Sequence, residues 1–179
     1  MRPSAHANAG MLVGVLADTH LQGFHQGGRV LERLAARYFN AARVILHAGD
    51  VVDPEVLLGL TDHTVYQVRG NVDPPQPGVP LRRIVELGGF RIGLMHGWGP
   101  PEGVAAKVLR EFRGDKLDCL VFGHSHSPCC ERRDGVLLFN PGSPTDRRRA
   151  PWHSVGLLEL GATIEGRIIN IDADGEVES

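Results

Sequence analysis

Five apolar stretches of this chain break off in the same manner, each into a polar residue able to bind a cation. MLVGVLAD (11–18) runs into Asp18-Thr19-His20, RVILHAGD (43–50) into Gly49-Asp50, and TVYQVRGN (64–71) into Gly70-Asn71. A later stretch ends in His96-Gly97, and LDCLVFG (117–123) ends in His124-Ser125-His126. Short apolar runs rich in Val, Ile and Leu and bounded by turn residues read as buried strands. Between the first two lies RVLERLAARYFN (29–40), whose apolar residues at 30, 31, 34, 35 and 38 have helical spacing. Asp53 followed by Pro54 opens a short helix by cap chemistry, and PPEGVAAKVLREFRG (100–114) reads as a helix with Pro near its start and Gly at its end. The first half thus alternates strand and helix, while the second half is strand-rich. That order predicts an α/β sandwich of two packed mixed sheets flanked by helices.

The remaining segments fit the same plan. LQGFHQGG reads as a glycine-rich loop and NVDPPQPGVP as a rigid one. LRRIVELGGFRIGLMHG reads as two strands joined at Gly-Gly, and PCCERRDGVLLFN as a hairpin turning at Asp-Gly. HSVGLLELG and TIEGRIINID supply two closing strands. A chain of 179 residues suffices for one domain with a real core, assigned to 11–179. Residues 1–10, small and polar, read as a disordered N-terminal extension without the apolar section of a secretory signal.

Composition narrows the partners. The formal net charge is −2, which predicts no general attraction to nucleic acid or to an anionic membrane. No apolar run reaches the ~20 residues needed to span a bilayer. Cys119, Cys129 and Cys130 form an odd set without metal-binding spacing, which points to a reducing cytoplasm and no disulfide framework. Sheet edges and the final hairpin offer a route to a homodimer.

The polar residues at the strand ends are Asp18, His20, Asp50, Asn71, His96, His124 and His126. Each alone has a bland explanation as a turn cap or a hydrogen-bonded strand-end residue. Together they occupy the carboxyl edge of the strands, where open α/β sheets bind ligands. Clustered carboxylates and imidazoles are costly to bury without a cation. Mixed N and O ligands suit a borderline divalent ion, and seven exceed what one ion takes from this mixture. Two ions sharing a carboxylate fit better, as in centres with ions ~3.5–4 Å apart that hydrolyse phosphate esters. Such a centre attracts a phosphate anion and holds a hydroxide ready at neutral pH.

In order, D-x-H, GD, GN-x-D, H and G-H-x-H resemble the calcineurin-like metallophosphoesterase superfamily. The segments ADTH, LHAGD, VRGNVD, LMHGWG, VFGHSH and FNPGSP look most like its small YfcE-like phosphodiesterase branch, over about residues 11–160. The resemblance implies a four-layer α/β/β/α sandwich and two divalent ions, Mn²⁺ foremost, with Fe, Ni, Co or Zn as alternatives. It implies that Asp18, His20 and His126 hold one ion, that Asn71, His96 and His124 hold the other, and that Asp50 bridges both. It further implies hydrolysis of a small phosphodiester by a metal-bridging hydroxide, with Asp50, Asn71 and His96 central to catalysis.

The chain departs from the wider superfamily at two positions. Where many members carry a substrate-contacting His after GN, this chain has Val72, which cannot donate a proton. Leu21 replaces the usual Gly after D-x-H. His25 is the residue that could supply an acid in place of Val72, although a solvated loop histidine is the simpler expectation. His47 is read as packed beside the site, Asp53 as a helix cap, Asp73 as fixing the turn that presents Asn71, and Asn140 and Ser143 as structural. Arg147, Arg148 and Arg149 form a basic surface run from which one guanidinium could clamp phosphate, and Trp98 and Trp152 could line a base. A catalytically silent interaction scaffold is the competing class, as in the retromer subunit sharing this fold. A nuclease would carry basic surfaces, and a metallo-β-lactamase-type site would need Asp where Pro128 stands.

Overall fold

The computed structural model describes residues 10–174. The N-terminal extension expected over 1–10 lies outside them except for Gly10. Ten strands form two five-stranded sheets. The first sheet has the order β10-β9-β1-β2-β3, from Ile164–Asn170, Ser154–Leu160, Met11–Leu16, Val44–His47 and Thr64–Gln67. The second has the order β4-β5-β6-β8-β7, from Arg82–Leu87, Phe90–Met95, Cys119–Val121, Val136–Asn140 and Cys129–Arg133. Both are mixed. β1, β2 and β3 run parallel, as do β5, β6 and β8, while β9, β10, β4 and β7 pair antiparallel.

Strand periodicity sorts the layers. Val13, Val15 and Leu46 of the first sheet meet Ile92, Leu94, Val121 and Phe139 of the second in a buried core between the sheets. Leu16 and Ile45, one residue out of phase, face outward to Leu31, Leu34 and Ala35 of α1 (Arg29–Tyr38). On the other flank Leu120 and Leu138 pack against Val104, Val108 and Phe112 at α2 (Val104–Glu111). The result is the four-layer α/β/β/α sandwich. Among the described residues no helix is long and apolar enough to cross a membrane.

Three local expectations need correction. The loop expected at LQGFHQGG is a π-helix over Gly23–Gly28 that runs directly into α1. It forms because Gly27 and Gly28 let it lie against the short helix Pro54–Leu60, where a Cβ on Gly27 would sit 2.7 Å from Val56 Cγ1. The second helix starts at Val104 rather than at the prolines, because Gly103 at its cap is left-handed, with φ 83°. The strands also stop short of the polar residues expected to end them. β1 closes at Leu16 and β2 at His47, two or three residues before Asp18 and Asp50.

Candidate metal centre

Strain explains those early strand ends. Eight described non-glycine residues have positive φ, and five are candidate ligands: Asp18 (53°), His20 (45°), Asp50 (57°), His124 (69°) and His126 (57°). A sixth is Val52 at 77°, a conformation especially unfavourable for a β-branched side chain. Each costs roughly 1–3 kcal/mol, and such residues persist only where the surroundings over-determine them.

The surroundings are hydrogen bonds between loops distant in sequence. Asp18 N–H donates to Gly49 O (3.0 Å) and His20 N–H to Asp50 O (3.0 Å), locking the first two loops together. Ser143 Oγ donates to Asp18 O (2.7 Å) and Thr145 Oγ1 to Thr19 O (2.6 Å). Asn140 Nδ2 donates to Gly123 O (3.2 Å) and Ser125 Oγ (3.0 Å), setting the loop that carries both histidines. Asp73 accepts three backbone N–H groups, from Gly70 (2.7 Å), Val52 (2.7 Å) and Asp50 (2.9 Å). Its turn-fixing role extends to the Asp50 loop. Gly70 is needed here, because a Cβ there would overlap Asp50 N and Oδ1.

All seven sequence-derived residues converge. Asp50 Oδ2 lies 3.2 Å from His96 Nε2 and 3.6 Å from His20 Nε2, between the two groups. His20 Nε2 and His126 Nε2 are 3.2 Å apart, and Asp18 Oδ1 is 3.6 Å from His126 Nε2. Asn71 Oδ1 lies 3.1 Å from His96 Nε2 and 2.9 Å from His124 Nδ1. Metal-compatible clusters form from Asp18, His20 and His126 and from Asp18, Asp50 and His96. Asp18 thus reaches toward both halves, a position sequence reasoning confined to one.

Three imidazoles have their outer nitrogen on a backbone carbonyl. His96 Nδ1 donates to Ala48 O (2.7 Å), His124 Nε2 to Gly99 O (2.8 Å) and His126 Nδ1 to Asp146 O. A carbonyl only accepts, so these nitrogens carry the proton, and in the neutral ring the inward nitrogen presents a lone pair. Lone pairs facing one another, as at His124 Nδ1 and Asn71 Oδ1, repel unless a cation lies between them. The backbone carbonyls leave no side-chain signal, so sequence reasoning could not find them.

Against the lowering effect of burial, the Asp50 hydrogen bond and the charges of Asp18 and Asp50 raise His96 above the usual imidazole range, so without a metal its ring carries the positive charge that a cation would supply. Burial pushes the Asp18 carboxyl up to about 7, against the lowering pull of His96, and its Oδ2 is buried with no hydrogen-bond partner. Burial would also raise Asp50, yet the hydrogen bond and charge of His96, the Val72 N–H and His20 outweigh it and bring the carboxyl down to about 2. Burial holds His20 and His126 below the usual imidazole range. Two carboxylates and four inward imidazole nitrogens, with one carboxylate oxygen orphaned, fit divalent cations in charge and donor type.

The neighbours separate into supports and rim. His47 is fully buried, with Nε2 3.1 Å from Thr19 Oγ1, and its Nδ1 accepts from Gly49 N–H (3.2 Å). Burial brings it down to about 4. The unfolded state therefore binds the extra proton between pH 6.5 and 4, and stability falls as pH drops through that window. The contribution is about 3 kcal/mol at 1.36 kcal/mol per unit. Denaturant titrations of metal-free protein at pH 7 and pH 4 are expected to show that loss shrinking in His47→Gln. An equal loss in both proteins would refute the assignment.

Asp53 caps its helix through Glu55 N–H (3.0 Å) and also accepts from Gly23 N–H (2.8 Å). Arg147 turns its guanidinium to Ala150 O (2.8 Å). Arg148 lies 3.6 Å from Asp146 Oδ2, and its charge helps lower Asp18, His20 and His126. Trp98 and Trp152 are 42% and 38% exposed, at the surface rather than in the core.

Fold and cluster together define an α/β sandwich protein of the metal-binding phosphoesterase class. The chain belongs to the calcineurin-like phosphoesterase superfamily, whose domain matches residues 11–163. It is 34% identical over 164 residues to a probable metallophosphoesterase of Methanocaldococcus jannaschii, covering 90% of this chain and 82% of that protein. A probable metallophosphoesterase of Methanothermobacter thermautotrophicus is 35% identical over 168 residues, covering 91% and 94%. Among solved structures, a predicted phosphoesterase from Streptococcus pneumoniae shares the fold at TM-score 0.73 and 23% identity, covering 93% of this chain and 92% of that one. An archaeal phosphodiesterase does so at TM-score 0.68 and 20% identity, covering 89% and 99%. Vps29 of Entamoeba histolytica in complex with Zn²⁺ matches at TM-score 0.65 and 25% identity, covering 89% and 99%.

Proposed function

We propose that this protein is a binuclear, divalent-metal-dependent phosphoesterase whose preferred substrates are phosphodiesters. The observation that carries the reading is the seat of Asp50 Oδ2 between His96 Nε2 (3.2 Å) and His20 Nε2 (3.6 Å), which suits a bridging carboxylate. Asp18, His20 and His126 would hold one ion and Asn71, His96 and His124 the other, with Asp18 near enough to His96 to serve both, and Mn²⁺ is the expected metal. When bound, such a pair supplies Lewis-acid charge neutralisation and a water acidic enough to act as nucleophile near pH 7.

The chain's own residues bias the site toward diesters. Val72 is 46% exposed and lends only its N–H, which donates to Asp50 Oδ1 (3.1 Å). A proton donor at that position would be worth roughly 10²–10⁴-fold for a poor leaving group. Its absence favours esters whose leaving group departs unaided. Arg148, whose charge acts on His20 and His126, is the guanidinium we assign to a phosphoryl oxygen. The archaeal phosphodiesterase likeness supports the same substrate class.

The test is a Mn²⁺-supplemented assay of bis(p-nitrophenyl) phosphate against p-nitrophenyl phosphate. We expect metal-dependent cleavage of the diester with kcat/KM at least about tenfold above the monoester. The likeness to Vps29, a vacuolar protein sorting protein by name, favours a second reading as a metal-binding interaction scaffold. Full metal occupancy with no turnover of either ester would establish that reading instead.

A further inference from the structure

The half of the metal centre formed by Asn71, His96 and His124 is bordered by the segment Gly97-Trp98-Gly99, and both ends of that segment are anchored to candidate ligands. Gly97 directly follows His96, and a Cβ on it would sit 3.6 Å from His124 Cβ. Gly99 O accepts the His124 Nε2 proton at 2.8 Å. Both glycines have positive φ, 102° and 80°, and neither puts a side chain beside Trp98. From the outer side α2 seats the segment. A Cβ on Gly97 would lie 2.6 Å from Val104 Cγ1, and Lys107 Nζ donates to Trp98 O (3.1 Å). Trp98 is thus held within two residues of His96 and next to the carbonyl that orients His124, yet its indole remains exposed.

An exposed indole leaves a large apolar surface in water that a ligand ring could cover. Val72, another exposed apolar side chain at this half, directly follows Asn71. The two bear on the same step. Val72 supplies no proton, so the departing alcohol must be acidic enough to leave as its anion. A phenol ionises near pH ~10, whereas water does so only near ~15.7, and aliphatic alcohols resemble water. Phenols are also flat and apolar, and an indole face is a surface on which such a ring stacks.

We propose that Trp98 is a specificity-determining residue of this centre, stacking on the aromatic leaving group of an aryl phosphodiester. The inference rests on the phosphoesterase reading and narrows its substrate class. Water adds its oxygen to phosphorus, the bond from phosphorus to the aryl oxygen breaks, and that oxygen leaves with the bonding pair. The products are a phosphate monoester and a phenolate that takes its proton from solvent. Trp98 touches the ring and not the reacting atoms.

The test compares methyl phenyl phosphate with methyl hexafluoroisopropyl phosphate, whose leaving alcohols are similarly acidic but of which only the first carries a flat ring. Both are given to Mn²⁺-loaded wild type, Trp98→Phe and Trp98→Ala, with thermal melts to check folding. The wild type is expected to favour the phenyl ester by about fivefold or more in kcat/KM, mainly through KM. Trp98→Ala is expected to bring that ratio near unity and Trp98→Phe to keep part of it. No preference for the ring in the wild type, or a preference that survives in Trp98→Ala, overturns the proposal.

Fluorescence reads the contact without turnover. The chain has two tryptophans, so Trp152→Phe leaves Trp98 as the single reporter. Bis(p-nitrophenyl) phosphate, mixed rapidly with that Mn²⁺-loaded variant, is expected to quench Trp98 saturably before any ester is cleaved, while dimethyl phosphate leaves the signal unchanged. Saturable quenching with no ester hydrolysed would fault only the phosphoesterase reading. Hydrolysis of bis(p-nitrophenyl) phosphate without quenching of Trp98 would fault the stacking role alone.

Discussion

On the phosphodiesterase reading, Asp50→Ala is expected to reduce metal-dependent diester cleavage by at least about a thousandfold while the protein remains folded. Its Oδ2 is the one carboxylate oxygen within 4 Å of both His20 Nε2 and His96 Nε2, and its Oδ1 accepts the Val72 N–H. Alanine removes the negative charge shared by both halves of the cluster and takes from His96 Nε2 its nearest carboxylate. Loss of a single preorganised charge-stabilising group commonly costs 10²–10³-fold, and loss of a bridging ligand also removes an ion. Elemental analysis of the variant is expected to show fewer than two ions per chain. Activity within tenfold of wild type, at full metal content, would remove Asp50 from the centre of the reading.

Asp73→Ala produces the largest loss of stability we expect from a residue that need not touch metal or substrate. The Asp73 carboxylate receives N–H groups from Gly70, Val52 and Asp50, three amides drawn from two loops. Hydrogen bonds to a charged group are worth about 1.5–3 kcal/mol each, reduced here by partial exposure. The same bonds hold Val52 and Asp50 at φ 77° and 57°, so their loss also frees strained backbone to relax. We expect a stability loss of about 3–5 kcal/mol, hence a melting temperature lower by roughly 10 °C. Metal affinity should weaken by about 10–100-fold, as for other residues that orient ligands. Asp73→Asn, which retains one acceptor oxygen, should fall between. A melting temperature unchanged in Asp73→Ala would show that the two loops are held by other means.

Much of this was legible in the sequence, and the reasons are local. Apolar runs of strand length and the 3.6-residue period at 30, 31, 34, 35 and 38 are set by neighbours a few residues apart, so both sheets and α1 were foreseen. The Gly-Gly and Asp-Gly turns at 88–89 and 134–135 followed from turn chemistry, and Gly88, Gly89, Asp134 and Gly135 all have positive φ. The π-helix was missed because its cause is a crossing of Gly27 and Gly28 with a helix some thirty residues onward.

The sequence by itself determined which polar side chains stand at the carboxyl edge of the strands, because residue identity and strand termination are written in consecutive residues. Only the tertiary structure decided how those side chains face. Asp18 meets the His124 N–H at a sequence separation of 106, and three of the four imidazoles are each oriented by a carbonyl from a different loop. Such contacts depend on how sheets and loops pack in space, and packing between distant segments leaves no periodic or local trace in a single chain.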